Sequence, residues 1–128
     1  MIFIDSDIII DYFRGDESIV NILNENLDKI ATTEINVFEV MFGFHLKKNI
    51  SEKRINEAIK FFDSIDVFAF DYGCGEKSAE LLSILIKEGK QIDQNDCLIA
   101  SIILKNGFNK ILTNNKKHFE RIKGLKLV

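Results

Sequence analysis

The period of the hydrophobic positions changes repeatedly along this chain. Ile2 to Ile4 form a short unbroken run of apolar, β-prone residues that stops at Asp5, as expected of a strand buried on both faces. Ile8, Ile9, Tyr12 and Phe13 then recur at helical spacing as far as Gly15, and Ile19, Ile22, Leu23 and Leu27 mark a second helix. Lys29 to Thr32 predicts a brief strand. Thr33 follows as a helix N-cap, with Asn36 where a full capping box has Glu or Gln. The next helix carries Ile35, Val37, Phe38, Val40, Met41, Phe42, Phe44 and Leu46. Apolar residues on every side predict a buried helix. Ser51 caps a fourth helix through Ile55, Ala58, Ile59 and Phe62. Val67 to Phe70 reads as a strand, and Ala79, Leu82 and Ile86 as a fifth helix ended by Gly89. Asp93 can cap a sixth helix that runs to Asn106 and stops at Gly107. Ile111 and Leu112 predict a strand ending at Thr113, Lys116 to Arg121 a short helix or turn, and Leu125 to Val128 a last strand.

Strands alternating with helices predict a parallel sheet covered on both faces, in one three-layer α/β/α domain spanning residues 1–128. A chain of 128 residues fits one domain. With 46% hydrophobic and 29% charged residues it can bury a core, which separates it from disordered tails. The absence of proline argues against PxxP ligands. The longest apolar run, Cys97 to Leu104, is interrupted by Ser101 and falls far short of the ~20 residues of a membrane helix. No positive region opens the chain, and Asp5, Asp7 and Asp11 interrupt its first apolar residues, so no signal peptide is expected. Cys74 and Cys97, with no CxxC, suggest a reducing cytoplasm and are best read as small core residues.

Most acids, such as Glu25, Glu52, Glu57, Glu80 and Glu88, fall where a helix meets solvent; three do not. Asp5 ends the first strand, at the edge where open α/β sheets bind ligands, although it can equally cap the next helix. Glu39 sits among Val37, Phe38, Val40, Met41 and Phe42. No basic residue lies between Ile30 and Leu46 to pair with it, and a charge in such company requires a partner or a metal. Asp96 follows Asp93 by three residues in the first turn of the sixth helix, where one acid suffices to favour the helix dipole. If the three converge, their repulsion calls for a cation, and oxygen donors favour Mg²⁺ or Mn²⁺ over Zn²⁺. Thr113, Asn114 and Asn115 at a second strand end can orient a metal-bound water or a phosphate, or simply form the turn. Cys74, Cys97, His45 and His118 lack zinc-finger spacing. His118, beside Phe119 in a basic turn, reads as a surface or substrate-contacting residue.

Net charge is −3, from 17 basic and 20 acidic residues, so a globally basic nucleic-acid binder is not indicated. The distribution is uneven. Lys105, Lys110, Lys116, Lys117, Arg121, Lys123 and Lys126 face only Glu120, a local +6, leaving −9 for residues 1–104. A basic strip beside the Thr113 strand end can hold phosphates, or the lysines can be ordinary solvated ones.

At these residues the chain resembles the PIN-domain family, and within it the VapC-type ribonuclease toxins of toxin–antitoxin pairs. Ile2-Phe3-Ile4-Asp5-Ser6-Asp7 is similar to that family's first strand and following Asp-Ser/Thr-Asn. The run from Thr33 to Gly43 is similar to its second-acid helix, and Ile92 to Ala100 to its third-acid helix. Ile111 to Asn115, through Phe119 to Gly124-Leu125, is similar to its closing strand and turn. Four blocks in register cover essentially the whole chain. The resemblance implies a single PIN-like domain and an RNA-hydrolysing enzyme. It implies Asp5, Glu39 and Asp96 as metal ligands for Mg²⁺, with Mn²⁺ as a substitute, and Thr113 and Asn115 as further site residues. It also implies a cognate antitoxin partner and a homodimer. Two departures stand out: Asp7 where many members have Asn, and Asn115 where some carry a fourth acid. A second metal would then be held weakly or only with substrate, and Asp93 is a partial substitute.

Three other readings fit less well. Asp5-Ser6-Asp7 resembles the nucleophile motif of haloacid-dehalogenase phosphatases, but Asp93 and Asp96 precede Thr113 and Lys116, the wrong order. A receiver domain would place its acceptor much nearer the first acids than Asp71 lies. A non-catalytic binding module is the rival of another class, with the segment from Phe38 to Phe44 as core or as a docking surface.

Overall fold

The computed structural model describes residues 1–128. Five strands form one sheet: β1 (Ile2–Ile4), β2 (Ile30–Thr33), β3 (Asp66–Phe68), β4 (Lys110–Leu112) and β5 (Lys126–Leu127). Its order is β3-β2-β1-β4-β5 and every pairing is parallel. Seven helices connect the strands: α1 (Ser6–Phe13), α2 (Glu17–Glu25), α3 (Glu34–Leu46), α4 (Glu52–Asp63), α5 (Cys74–Lys87), α6 (Gln94–Lys105) and α7 (Lys116–Phe119).

Strand side chains alternate between the two faces, so neighbours in sequence feed opposite cores. Phe3, Ala31 and Ile111 pack with Leu85 of α5 and with Cys97, Ile99, Ala100 and Ile103 of α6. Ile4 and Ile30 pack on the other side with Ile8 and Ile9 of α1, Leu23 of α2, Val40 and Phe44 of α3, and Ala58, Phe61 and Phe62 of α4. This is the three-layer arrangement expected from the sequence. Cys74 and Cys97 are both free and buried, as expected.

The chain runs outward from β1 through β2 to β3, then returns to the other side of β1 to lay down β4 and β5. The order therefore reverses between β1 and β4, and the crevice beyond their carboxyl ends is where an open α/β sheet binds its ligand. Asp5 and Thr113 stand at those two ends, and the Asp5 N–H donates to the Leu112 carbonyl at 3.0 Å.

Three expectations need correction. The third strand covers Asp66–Phe68 and stops short of Phe70, because its partner β2 ends at Thr33 and turns into α3. The last strand is two residues long, since only Lys126 and Leu127 find partners on β4. Most consequentially, α3 is not buried all round. Asn36, Val40 and Phe44 face inward, while Phe38, Phe42 and Leu46 are 59%, 53% and 68% exposed, with the two phenyl rings stacked 5.6 Å apart. Composition alone could not rank the sides of a helix whose residues are apolar on both.

Candidate metal centre

Asp5 meets both readings the sequence left open. Its backbone is extended, and its Oδ1 accepts the Ser6 N–H at 2.8 Å, capping α1. The same oxygen accepts the Asn36 amide at 3.1 Å, while Oδ2 accepts the Thr113 hydroxyl at 2.7 Å. Glu39 lies on the next helix over. Its Oε1 accepts the Ser6 hydroxyl at 2.7 Å and its Oε2 the Asn95 amide at 3.3 Å. Asp96 opens α6, and its Oδ2 is 2.9 Å from the Asn115 amide and 2.6 Å from His118 Nδ1.

These contacts join end to end. Asn36 donates to the Ser6 hydroxyl at 2.9 Å as well as to Asp5, and the Asn115 N–H donates to Thr113 Oγ1 at 2.9 Å. One continuous set of hydrogen bonds therefore links Glu39, Ser6, Asn36, Asp5, Thr113, Asn115 and Asp96. Its members come from the end of β1, from α1, α3 and α6, and from the β4–α7 turn, so the fold alone brings them together. The capping box predicted at Thr33 is complete, because Asn36 bonds back to both the Thr33 N–H and its hydroxyl.

No Lys or Arg forms an ion pair with Asp5, Glu39 or Asp96. Burial pushes the Asp5 carboxyl above its ordinary value; the Thr113 and Ser6 bonds pull it back, and the Asp96 charge raises it again. Burial likewise raises Asp96, with His118 opposing and the Glu39 and Asp93 charges adding. Asp7 is pushed up to about 6, first by burial and then by the Asp5 charge. Its Oδ2 accepts the Asn114 N–H at 3.0 Å, and its Oδ1 is buried without a partner. Asp5 and Asp96 are buried and Glu39 is half-buried; none has a Lys or Arg partner, Asp96 has His118 beside it, and oxygen donors of this kind suit a hard divalent cation, which would offset their mutual repulsion.

The structure brings Asp5, Glu39, Asp96, Thr113 and Asn115 to one place. Thr113 and Asn115 hold carboxylates, a role the sequence did not single out between turn formation and water binding. Asp93 occupies the N-cap position of α6 but makes no side-chain cap bond; it points outward, with Oδ2 4.0 Å from His118 Nδ1. His118 is not a free surface residue, since it packs against Asp96. Sequence reasoning missed Ser6, Asn36 and Asn95 as site residues. Only the capping-box position of Asn36 offered a signal.

The basic strip also needs correction. Lys116 and Lys117 are exposed on α7, directly past Asn115. Lys105 is bound to Asp71 at 2.5 Å, Arg121 bonds the Gln91 carbonyl, and Lys110 and Lys126 start strands at the opposite edge of the sheet.

The PIN domain family matches residues 2–125 of the chain. A tRNA(fMet)-specific endonuclease VapC from Shigella flexneri is 26% identical over 103 residues, which are 80% of this chain and 76% of that protein. Among solved structures, VapBC2 from Rickettsia felis bound to a promoter DNA fragment superposes with a TM-score of 0.87 at 27% identity, covering all of this chain and 98% of that one. DNA-bound VapBC from Salmonella typhimurium shares the fold, with a TM-score of 0.88 at 22% identity over 99% of this chain and 96% of the other.

Proposed function

The chain belongs to the PIN domain family, and on that premise we propose that it is a metal-dependent endoribonuclease acting as the toxin of a toxin–antitoxin pair. The observation that carries this reading is the single hydrogen-bonded network tying Asp5, Glu39 and Asp96 together at the switch point of the sheet, with no Lys or Arg among them. RNA as substrate is drawn from the Shigella flexneri relative, and an antitoxin as partner from the VapBC complexes.

In this reading Asp5, Glu39 and Asp96 would hold Mg²⁺, with Mn²⁺ as a substitute. Bound there, the ion would supply a more acidic, oriented water and stabilisation of charge on the transferring phosphoryl group. The protein's own contribution is to fix donors. Thr113 and Ser6 hydroxyls lock Asp5 and Glu39, Asn36 spaces the two, and the Asn115 amide holds Asp96, so that no carboxylate must reorganise when substrate arrives. Lys116 and Lys117 sit where phosphates approach.

We place the protein in the cytoplasm, consistent with two free cysteines; no helix is long and apolar enough to cross a membrane. The exposed stripe of Phe38, Phe42 and Leu46, one helical turn apart, suits contact with a second copy of the chain, because a C₂ interface needs only one self-complementary patch. A purely binding role leaves three linked acids, two of them buried and none paired with Lys or Arg, without a purpose.

The test is cleavage of a panel of structured and single-stranded RNAs by the full chain. Cleavage is expected with Mg²⁺, none with chelator, and a fall of about 10²-fold or more in Asp5→Asn and in Asp96→Asn. Cleavage surviving both substitutions rejects the site. No cleavage of any RNA, together with tight partner binding, favours the binding module.

A further inference from the structure

We infer that Asn114 is a positioning residue for the metal centre: it grips α1 at Asp7 and Asp11, which fixes the β4–α7 turn and, through that turn, the spacing of Asp5 from Asp96. The inference rests on the reading of those two acids as metal ligands and adds a part to it.

Three consecutive residues connect β4 to α7, and each reaches a different element. The Thr113 hydroxyl donates to Asp5 at the end of β1, and the Asn115 amide donates to Asp96 on α6. Between them Asn114 turns to α1. Its backbone N–H donates to Asp7 Oδ2 at 3.0 Å and its side-chain amide to Asp11 Oδ2 at 3.0 Å. An asparagine that only shapes a turn bonds the backbone of its own loop. This amide instead reaches a residue 103 positions away. Asp7 and Asp11 are one helical turn apart on α1, a spacing at which like charges repel. Two donors from a single residue, one to each carboxylate, offset that repulsion.

A lever argument shows what the grip adds. The Thr113–Asp5 bond alone is a pivot, about which the turn can swing while the bond keeps its length. Asp11 lies six residues beyond Asp5, about 9 Å along the helix at 1.5 Å per residue. Attachment at both ends of that span holds the turn and α1 as one body. Asn115, next in the chain, then holds Asp96 at a place set from α1, and the same helix carries Ser6, the donor to Glu39. All three acids thereby share one frame. Asn114 itself is exposed and both of its bonds to α1 lie at the surface, so the folded state owes them little. Loss of the side chain should therefore loosen the ligands while the melting temperature stays nearly unchanged.

Mn²⁺ is the probe, titrated into the metal-free full chain and followed by equilibrium dialysis. Asn114→Ala removes the bond to Asp11 and should weaken Mn²⁺ binding about tenfold, the lower end of the range for residues that hold metal ligands in place. Asp11→Ala should do the same. Because both remove one and the same bond, the double variant should bind no more weakly than either single one. Asp11→Asn keeps an oxygen acceptor for the Asn114 amide and should bind Mn²⁺ as the wild type does, which separates the bond from the charge. The inference is overturned by wild-type Mn²⁺ affinity in Asn114→Ala, by a double variant that shows the product of the two single losses, or by Asp11→Asn binding as weakly as Asp11→Ala. Mg²⁺-supported RNA cleavage distinguishes this inference from the function it rests on. A wild type that cleaves RNA while Asn114→Ala keeps full Mn²⁺ affinity loses the positioning role alone. A wild type whose Mn²⁺ binding depends on Asn114 yet which cleaves no RNA keeps that role and loses the ribonuclease reading.

Discussion

Asn36 has no charge, yet it holds two of the three acids in place. It is fully buried, accepts from Thr33, and donates to Asp5 and Ser6, and Ser6 in turn donates to Glu39. Asn36→Ala leaves those partners unpaired in a dry environment. It should cost about 1–3 kcal/mol in urea unfolding, and divalent-ion affinity should fall about tenfold or more as the two ligands lose their spacing. A variant with lowered stability but wild-type ion affinity would reduce Asn36 to a helix cap. Asp7 offers a second residue-scale test. Its value in the folded chain, about 6, lies above the ordinary 3.8, so the folded state binds more protons than the unfolded one between those values. Stability from this group is therefore present at low pH and lost as pH rises through about 6. In chelator, the gain in melting temperature of Asp7→Asn over wild type should be larger at pH 7.5, on the order of one to two units above that midpoint, than near pH 4. A gain independent of pH would show that the Asp7 charge is not what burial penalises.

At the scale of elements, the sequence was legible wherever one face of an element decides its fate. The strands stood out because Ile2 to Ile4, Ile111 and Leu112 are short apolar runs closed by a polar residue, and both cores follow from their alternation. Glu39 stood out because nothing basic lay within helical reach. The partners of the acids did not stand out, because Ser6–Glu39, Asn36–Asp5 and His118–Asp96 join residues 33, 31 and 22 positions apart. Short polar side chains gain such roles only from the fold. Helix α3 failed for the complementary reason: apolar residues on two opposite sides leave the buried side undefined. Its outer stripe makes a prediction of its own. Phe38→Ser with Phe42→Ser removes two stacked, exposed rings, so the melting temperature should change little while light scattering shows a shift from dimer to monomer. A large loss of stability in the monomer would mean that the stripe belongs to the core.

The whole molecule sets an acidic body against a basic carboxyl-terminal segment, and the fold decides which part of that asymmetry RNA meets. Counted along the sequence, seven cations follow residue 104. In space, Lys105 is neutralised by Asp71, and Lys110 and Lys126 lie at the edge of the sheet opposite the acids. Lys116 and Lys117 alone follow directly on the Asn115 turn, on the short helix that also carries His118, which touches Asp96. Phosphate contacts release counterions, and each contact on a single strand adds about 0.7 to the slope of log affinity against log salt. Lys116→Ala with Lys117→Ala should therefore weaken binding of single-stranded RNA and flatten that slope by about 1.4. Binding is best measured with Asp5→Asn present in both chains, so that no RNA is cut during the titration. Lys110→Ala with Lys126→Ala removes the same formal charge from the far edge. It should leave the slope where it was, because charges separated from the strand by more than a Debye length, about 8 Å at physiological ionic strength, are screened. Equal flattening by the two pairs would mean that RNA is drawn by the net charge of the segment, and that the position of α7 beside the acids plays no part in holding it.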